Sequence, residues 1–165
     1  MKKQKILLTW ILAVVLVVAT LALVACDDKP QTERLDVTVQ LEYNQMAVVV
    51  RCGDQFDVIP VTLGEGYADV TTAEGVLNYL QQSGALEIVW IDSDFGKYIN
   101  SIGGAVPQAM NEYVEVFTSV RTEMGTWAGV TTYLIGDVTI CSAAVGVSEL
   151  TVAPGVILYF QVSTY

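Results

Sequence analysis

Apolar and polar residues alternate without a break from Leu35 to Tyr43 (LDVTVQLEY), the period of a half-buried strand with one wet face. Asn44-Gln45 then supplies a turn, and Met46 to Val50 (MAVVV) reads as the hairpin partner. Val58 to Leu63 forms a further short strand, which Pro60 assigns to a sheet edge because proline cannot donate to a ladder. The period changes at Thr71. Thr71-Thr72-Ala73-Glu74 has the form of a capping box in which Thr71 accepts from the Glu74 amide. Val76, Leu77 and Leu80 continue as an apolar stripe at helical spacing, and Ser83-Gly84 stops it, so one helix is predicted over Thr72 to Ser83. Beyond it, strands are predicted at Leu86 to Ile91, Tyr98 to Ile102, Tyr113 to Val120, Val130 to Leu134, Val138 to Cys141 and Val156 to Val162, punctuated by glycine-containing turns. The last of these, VILYFQV, is apolar at nearly every position and belongs at the sheet centre with both faces covered. The fold class that follows is α+β: mostly β, with one helix over a sheet.

The N-terminus follows neither period. Met1 to Lys5 is basic, and Ile6 to Ala25 is a hydrophobic run broken only by Thr9, Trp10 and Thr20. Its length suffices for a bilayer span, but its end, Leu23-Val24-Ala25-Cys26, has the lipobox form of a bacterial lipoprotein signal. In that reading, cleavage leaves Cys26 as a diacylglycerol-modified N-terminus. An uncleaved signal anchor and a plain secretory signal are the alternatives, and all three export the domain, since Lys2, Lys3 and Lys5 hold the N-terminus in the cytoplasm. The segments expected are thus a hydrophobic signal helix over 1–25, a lipidated N-terminus and polar tether over 26–34 containing Pro30, and a folded domain over 35–165. The site of action implied is the extracytoplasmic face of the cell membrane.

Composition sharpens this picture by exclusion. The 165 residues carry 18 Asp and Glu, all at or beyond Asp27, so removal of Lys2, Lys3 and Lys5 leaves five basic residues against 18 acidic ones, a net charge of −13. Such a surface is repelled by phosphate backbones and anionic lipid headgroups, which excludes nucleic acid as a partner. There is no histidine, so neither a Ser-His-Asp nor a Cys-His nucleophile pair can form. No spaced motif of the remaining reactive residue types points to an enzyme.

Phe95-Gly96-Lys97-Tyr98-Ile99-Asn100-Ser101-Ile102-Gly103-Gly104 resembles a segment of the bacterial surface domains related to the C-terminal domain of transcobalamin and intrinsic factor. The likeness continues through Asn111 to Ser119, Gly125-Thr126-Trp127, Val145 to Val152 and the closing strand. It implies a β-grasp-like sheet with one helix, common on lipoproteins of Gram-positive bacteria, and a small ligand such as a corrinoid or other nutrient. In the animal proteins the similar domain forms one wall of a cobalamin site. Here Val114 stands where the family has tryptophan, which removes one flat stacking surface.

Several residues are candidates for a site. Cys52 and Cys141 are an even pair in an exported protein, which suggests a disulfide worth about 4 kcal/mol in the chain-entropy model, or else two small buried hydrophobes. Asp92-Ser93-Asp94 with Asn100 lacks the glycine and glutamate of a calcium loop and reads as a turn. Asp54 and Asp57 read as loop charges. Tyr98, Tyr113, Phe117, Trp127 and Tyr133 supply the aromatic surface of the matched region, and most belong in a core. Tyr98, Tyr113, Phe117 and Trp127 are the ligand-binding candidates, led by Trp127, which lies in a glycine-bounded loop where strand period does not demand burial. No cofactor or metal is expected beyond a cobalamin-like ligand. The reading is a non-enzymatic, lipid-anchored binding domain; the alternative is an interaction or adhesion module that meets another surface protein.

Overall fold

Leu35 to Tyr43, the cleanest alternation in the chain, is not a sheet strand. In a computed structural model that describes residues 32–165, apart from 66, 67, 69, 94 and 95, only Glu33–Leu35 pairs, as the short β1. The predicted signal segment, Cys26 and the tether up to Gln31 lie outside the described residues. β1 takes in residues 33 and 34, which the sequence reading assigned to the tether, and runs parallel to β7 (Thr132–Ile135). Beyond it the chain stays outside the ladders as far as Glu42. Val37, Val39 and Leu41 nonetheless pack against a buried cluster while Asp36, Thr38, Gln40 and Glu42 are exposed. Alternation reports an extended chain with one buried side, and here that side lies across a sheet face instead of within the sheet.

The predicted hairpin is displaced accordingly. β2 (Gln45–Cys52) pairs antiparallel with β3 (Gln55–Thr62), not with the segment before it. β3 ends the sheet, as Pro60 requires. The remaining strands of the large sheet are β6 (Glu112–Thr118), β8 (Val138–Ser142) and β9 (Ile157–Thr164), in the order β1-β7-β8-β6-β9-β2-β3. β9 occupies an interior position, parallel to β2 and antiparallel to β6, and its first five residues are buried. β4 (Ile88–Ser93) and β5 (Gly96–Ile102) form a separate two-stranded ribbon, with Asp92 and Ser93 at the end of β4.

Period-2 burial gives the large sheet two cores. Met46, Val48 and Val50 of β2 with Leu158 and Phe160 of β9 face one side, where they meet Val76, Leu77 and Leu80 of the helix and Ile88, Ile99 and Ile102 of the ribbon. Val114, the position of the missing tryptophan, packs on this side too. Ala47, Val49, Phe117, Tyr133, Ile140 and Tyr159 face the other side, under the extended N-terminal segment.

The helix, α1 (Ala73–Gln82), begins one residue later than the capping box predicts. Thr72 is the N-cap and its hydroxyl accepts from the Gly75 amide at 3.3 Å. The amides of Ala73 and Glu74 donate instead to the carbonyls of Leu150 and Val147. A neighbouring loop thus satisfies the orphan donors that a local cap serves in an isolated helix. Gly84, at φ +74°, terminates the helix as expected. Gln81 ties α1 to β4, donating to the Ile88 carbonyl at 2.8 Å and accepting from the Trp90 indole at 3.1 Å.

The suggested Cys52–Cys141 bridge does not form; both thiols are free. Cys141, Thr118, Leu158 and Val48 make one row across β8, β6, β9 and β2. Three strand spacings separate Cys141 from Val48, roughly 14 Å, and Cys52 lies four residues farther along β2, roughly another 13 Å. A disulfide requires Cα atoms within about 7 Å. Cys141 is buried and reaches the Gly125 carbonyl, whereas Cys52 is exposed and reaches that of Gly104.

Candidate binding site

The aromatic side of the sheet changes character along β9. Ile157 and Tyr159 are covered, but the next residues on that face are Gln161 and Ser163. The N-terminal segment that shields the beginning of β9 lies against Ile135, Val138 and Ile157, at the opposite end of the face. The far end is left as an open cleft of about 560 Å³, within the range of small-ligand sites.

Strand register sets its floor. Glu115 of β6 lies opposite Gln161, and Tyr113 lies opposite Ser163. Because Val50 pairs with Phe160, the next residue, Arg51, comes beside Gln161 from β2. Glu115, Gln161 and Arg51 therefore form a lateral row: carboxylate, amide, guanidinium. Tyr133 and Thr131 enter from β7 and the loop before it, and Trp127 stands at the rim, half exposed.

Gln161 is buried, and its amide is hydrogen-bonded at both the oxygen and the nitrogen. Its oxygen accepts from the Tyr159 hydroxyl at 2.8 Å, while its nitrogen donates to the Tyr133 hydroxyl at 3.1 Å and to Ser163 Oγ at 3.2 Å. The amide thus fixes the hydroxyls around it and has both of its N–H donors in use. Burial pushes the Tyr159 phenol up to about 12, against the opposing influence of Arg51. Partial burial, and then the Glu115 carboxylate, raise Tyr113.

The charged residues at the ends of the row turn away from each other. Ser142 Oγ donates to Glu115 Oε1 at 2.6 Å. Arg51 donates through Nε to the Gly53 carbonyl at 2.9 Å and places its guanidinium carbon 5.7 Å from the centroid of the Phe56 ring, its cross-strand partner.

Trp127 owes its pose to Gly125. A Cβ at residue 125 would lie 2.3 Å from carbons of the six-membered indole ring, so the ring rests on bare backbone. The rest of the indole is only partly covered, and the residue is half exposed.

Of the four aromatic candidates, Tyr113 and Trp127 meet at the cleft. Phe117 is wholly buried, its ring tilted against those of Tyr133 and Tyr159 with centroids 5.3 Å away, and contributes to the core, not to a binding surface. Tyr98 is half exposed on β5, opposite Ile91, and is not part of the cleft lining. Arg51, Glu115, Ser142 and Gln161 were missed. Gln161 did leave a signal, as the one polar residue inside an otherwise apolar strand. Asp57 is paired in β3 opposite Val50 and Asp54 lies in the β2–β3 turn. Among the described residues no three metal-ligating side chains cluster. Neither a protein-family model nor a curated protein matches this chain.

Proposed function

We propose that this chain is a lipid-anchored, extracytoplasmic binding domain without catalytic activity, with a β-grasp-like fold related to the transcobalamin C-terminal domain. Its cleft at the end of β9 captures a small polar nutrient that presents a flat or apolar face to Trp127. One observation carries the reading: a half-exposed indole seated on Gly125 stands beside a polar floor whose hydroxyls are fixed by the buried Gln161 amide. Such a site is pre-organised, so binding does not have to order it. The parallel pairing of β2 with β9 at the sheet interior and the helix across one face support the β-grasp comparison. The Leu23-Val24-Ala25-Cys26 signal supports the anchor.

Corrinoids are the ligands that the resemblance brings forward. Titration of the full chain in detergent with cobinamide and cobalamin, followed by corrin absorption and heat, tests them directly. Saturable binding lost in Trp127→Ala supports corrinoid capture. Absence of binding by these and by the other small nutrients tried turns the assignment to the interaction-module alternative.

A further inference from the structure

The two charges in the cleft are separated across one row and each is held in place by neutral partners. We infer that the ligand is a zwitterion of dipeptide length, bound with its carboxylate at Arg51, its ammonium at Glu115 and its side chains toward Trp127 and Tyr113. This rests on the reading of the cleft as a ligand site and narrows the ligand's class.

Electrostatics supports the polarity. Five basic residues remain beyond Asp27 in a domain of net charge −13, and one of them, Arg51, stands in this cleft. With Nε committed to Gly53 and the guanidinium also reaching the Tyr159 hydroxyl, its remaining N–H donors are the ones that match a carboxylate. Glu115 has one oxygen taken by Ser142, and among the described residues the other meets no hydrogen-bond donor and can accept from an ammonium. Gln161 stands between them with both amide donors in use, so the floor beneath the ligand is polar without competing for its carboxylate.

Length follows from strand geometry. Glu115 and Arg51 lie on strands flanking β9, two spacings apart, roughly 10 Å at Cα, and Arg51 leans outward over Phe56. Glu115 reaches toward β8 and Arg51 toward β3, so the charges stand no closer than those Cα atoms, and charge-assisted contacts of about 2.8 Å at each end leave roughly 4 Å or more for the ligand's own charge separation. A single amino acid spans about 3.5 Å and an extended dipeptide about 7 Å. The row is too wide for the first and accommodates a slightly bent form of the second.

The test titrates the full chain in detergent with L-Ala-L-Ala and Gly-L-Tyr, their N-acetylated and C-amidated forms, free L-alanine, and cobinamide, by calorimetry and tryptophan fluorescence. The free dipeptides are expected to bind saturably, with either block weakening them about ten- to hundredfold, the range of a charge-assisted hydrogen bond. In Arg51→Gln the acid and its amide should bind alike, and in Glu115→Gln the free and acetylated amines should bind alike. These matched losses of discrimination separate contact from unfolding. Cobinamide binding without dipeptide binding overturns the ligand class and leaves the cleft reading standing. Dipeptide binding indifferent to both blocks overturns the charge assignment. If no probe binds or perturbs tryptophan, both readings fall.

Discussion

Gly125 and Trp127 show how a single side chain is aimed by what its neighbour lacks. Since an added Cβ would overlap the indole at 2.3 Å, Gly125→Ala must lift the ring off the backbone. The expected result is a shifted tryptophan emission and ligand affinity reduced about tenfold, with little change in circular dichroism. Tyr159 makes the complementary case in the buried network. Tyr159→Phe deletes the donor to the Gln161 amide oxygen, and thermal or urea unfolding should show a loss of about 1–2 kcal/mol. The phenol also has a signature in pH. Its raised value, about 12, means that folding favours the protonated form. That contribution is fully present below pH ~10, the unfolded value, and is lost as pH rises through 12. Stability of the native chain should therefore fall over pH 10 to 12 more steeply than that of Tyr159→Phe.

At the scale of elements, period and pairing separate. The sequence marked the helix, the glycine that ends it, the proline-bearing edge strand and the interior position of β9, because each depends on local chemistry or on a long apolar run. It misplaced the partner of β2, since alternation from Leu35 to Tyr43 fixes which residues are buried but not whether the backbone pairs. The cap moved from Thr71 to Thr72 for a related reason: the loop carbonyls of Val147 and Leu150 reach the helix from 70 or more residues away. Thr72→Ala is expected to cost about 1 kcal/mol in chemical denaturation and Thr71→Ala only a few tenths. Equal costs would return the cap to Thr71.

Over the whole molecule, the site combines residues that no local pattern links. Arg51, Glu115 and Gln161 come from strands distant in sequence and meet only through the β6-β9-β2 order. The exposure of Trp127 was legible because its loop freed it from strand period, and the burial of Phe117 was not, because burial and ligand contact leave the same aromatic residue in a strand. The cysteines were misjudged for want of that strand order, which puts them roughly 20 Å apart. Alkylation of the native full chain should modify Cys52 promptly, and Cys141 only after unfolding, with Cys26 blocked where it is acylated. A mass consistent with a Cys52–Cys141 bridge contradicts the sheet order itself.

The cleft is the central claim, and the indole N–H resonances of Trp90 and Trp127 report on it most directly. Trp90 is tied to Gln81 on the far side of the sheet, whereas Trp127 stands at the cleft rim. In the ¹⁵N-tryptophan-labelled full chain, where Trp10 adds a third indole signal, titration with the free dipeptides and with cobinamide should shift the Trp127 signal saturably while that of Trp90 stays in place. The Trp127 signal staying in place with all of these ligands, or moving together with that of Trp90, contradicts a binding site at the end of β9.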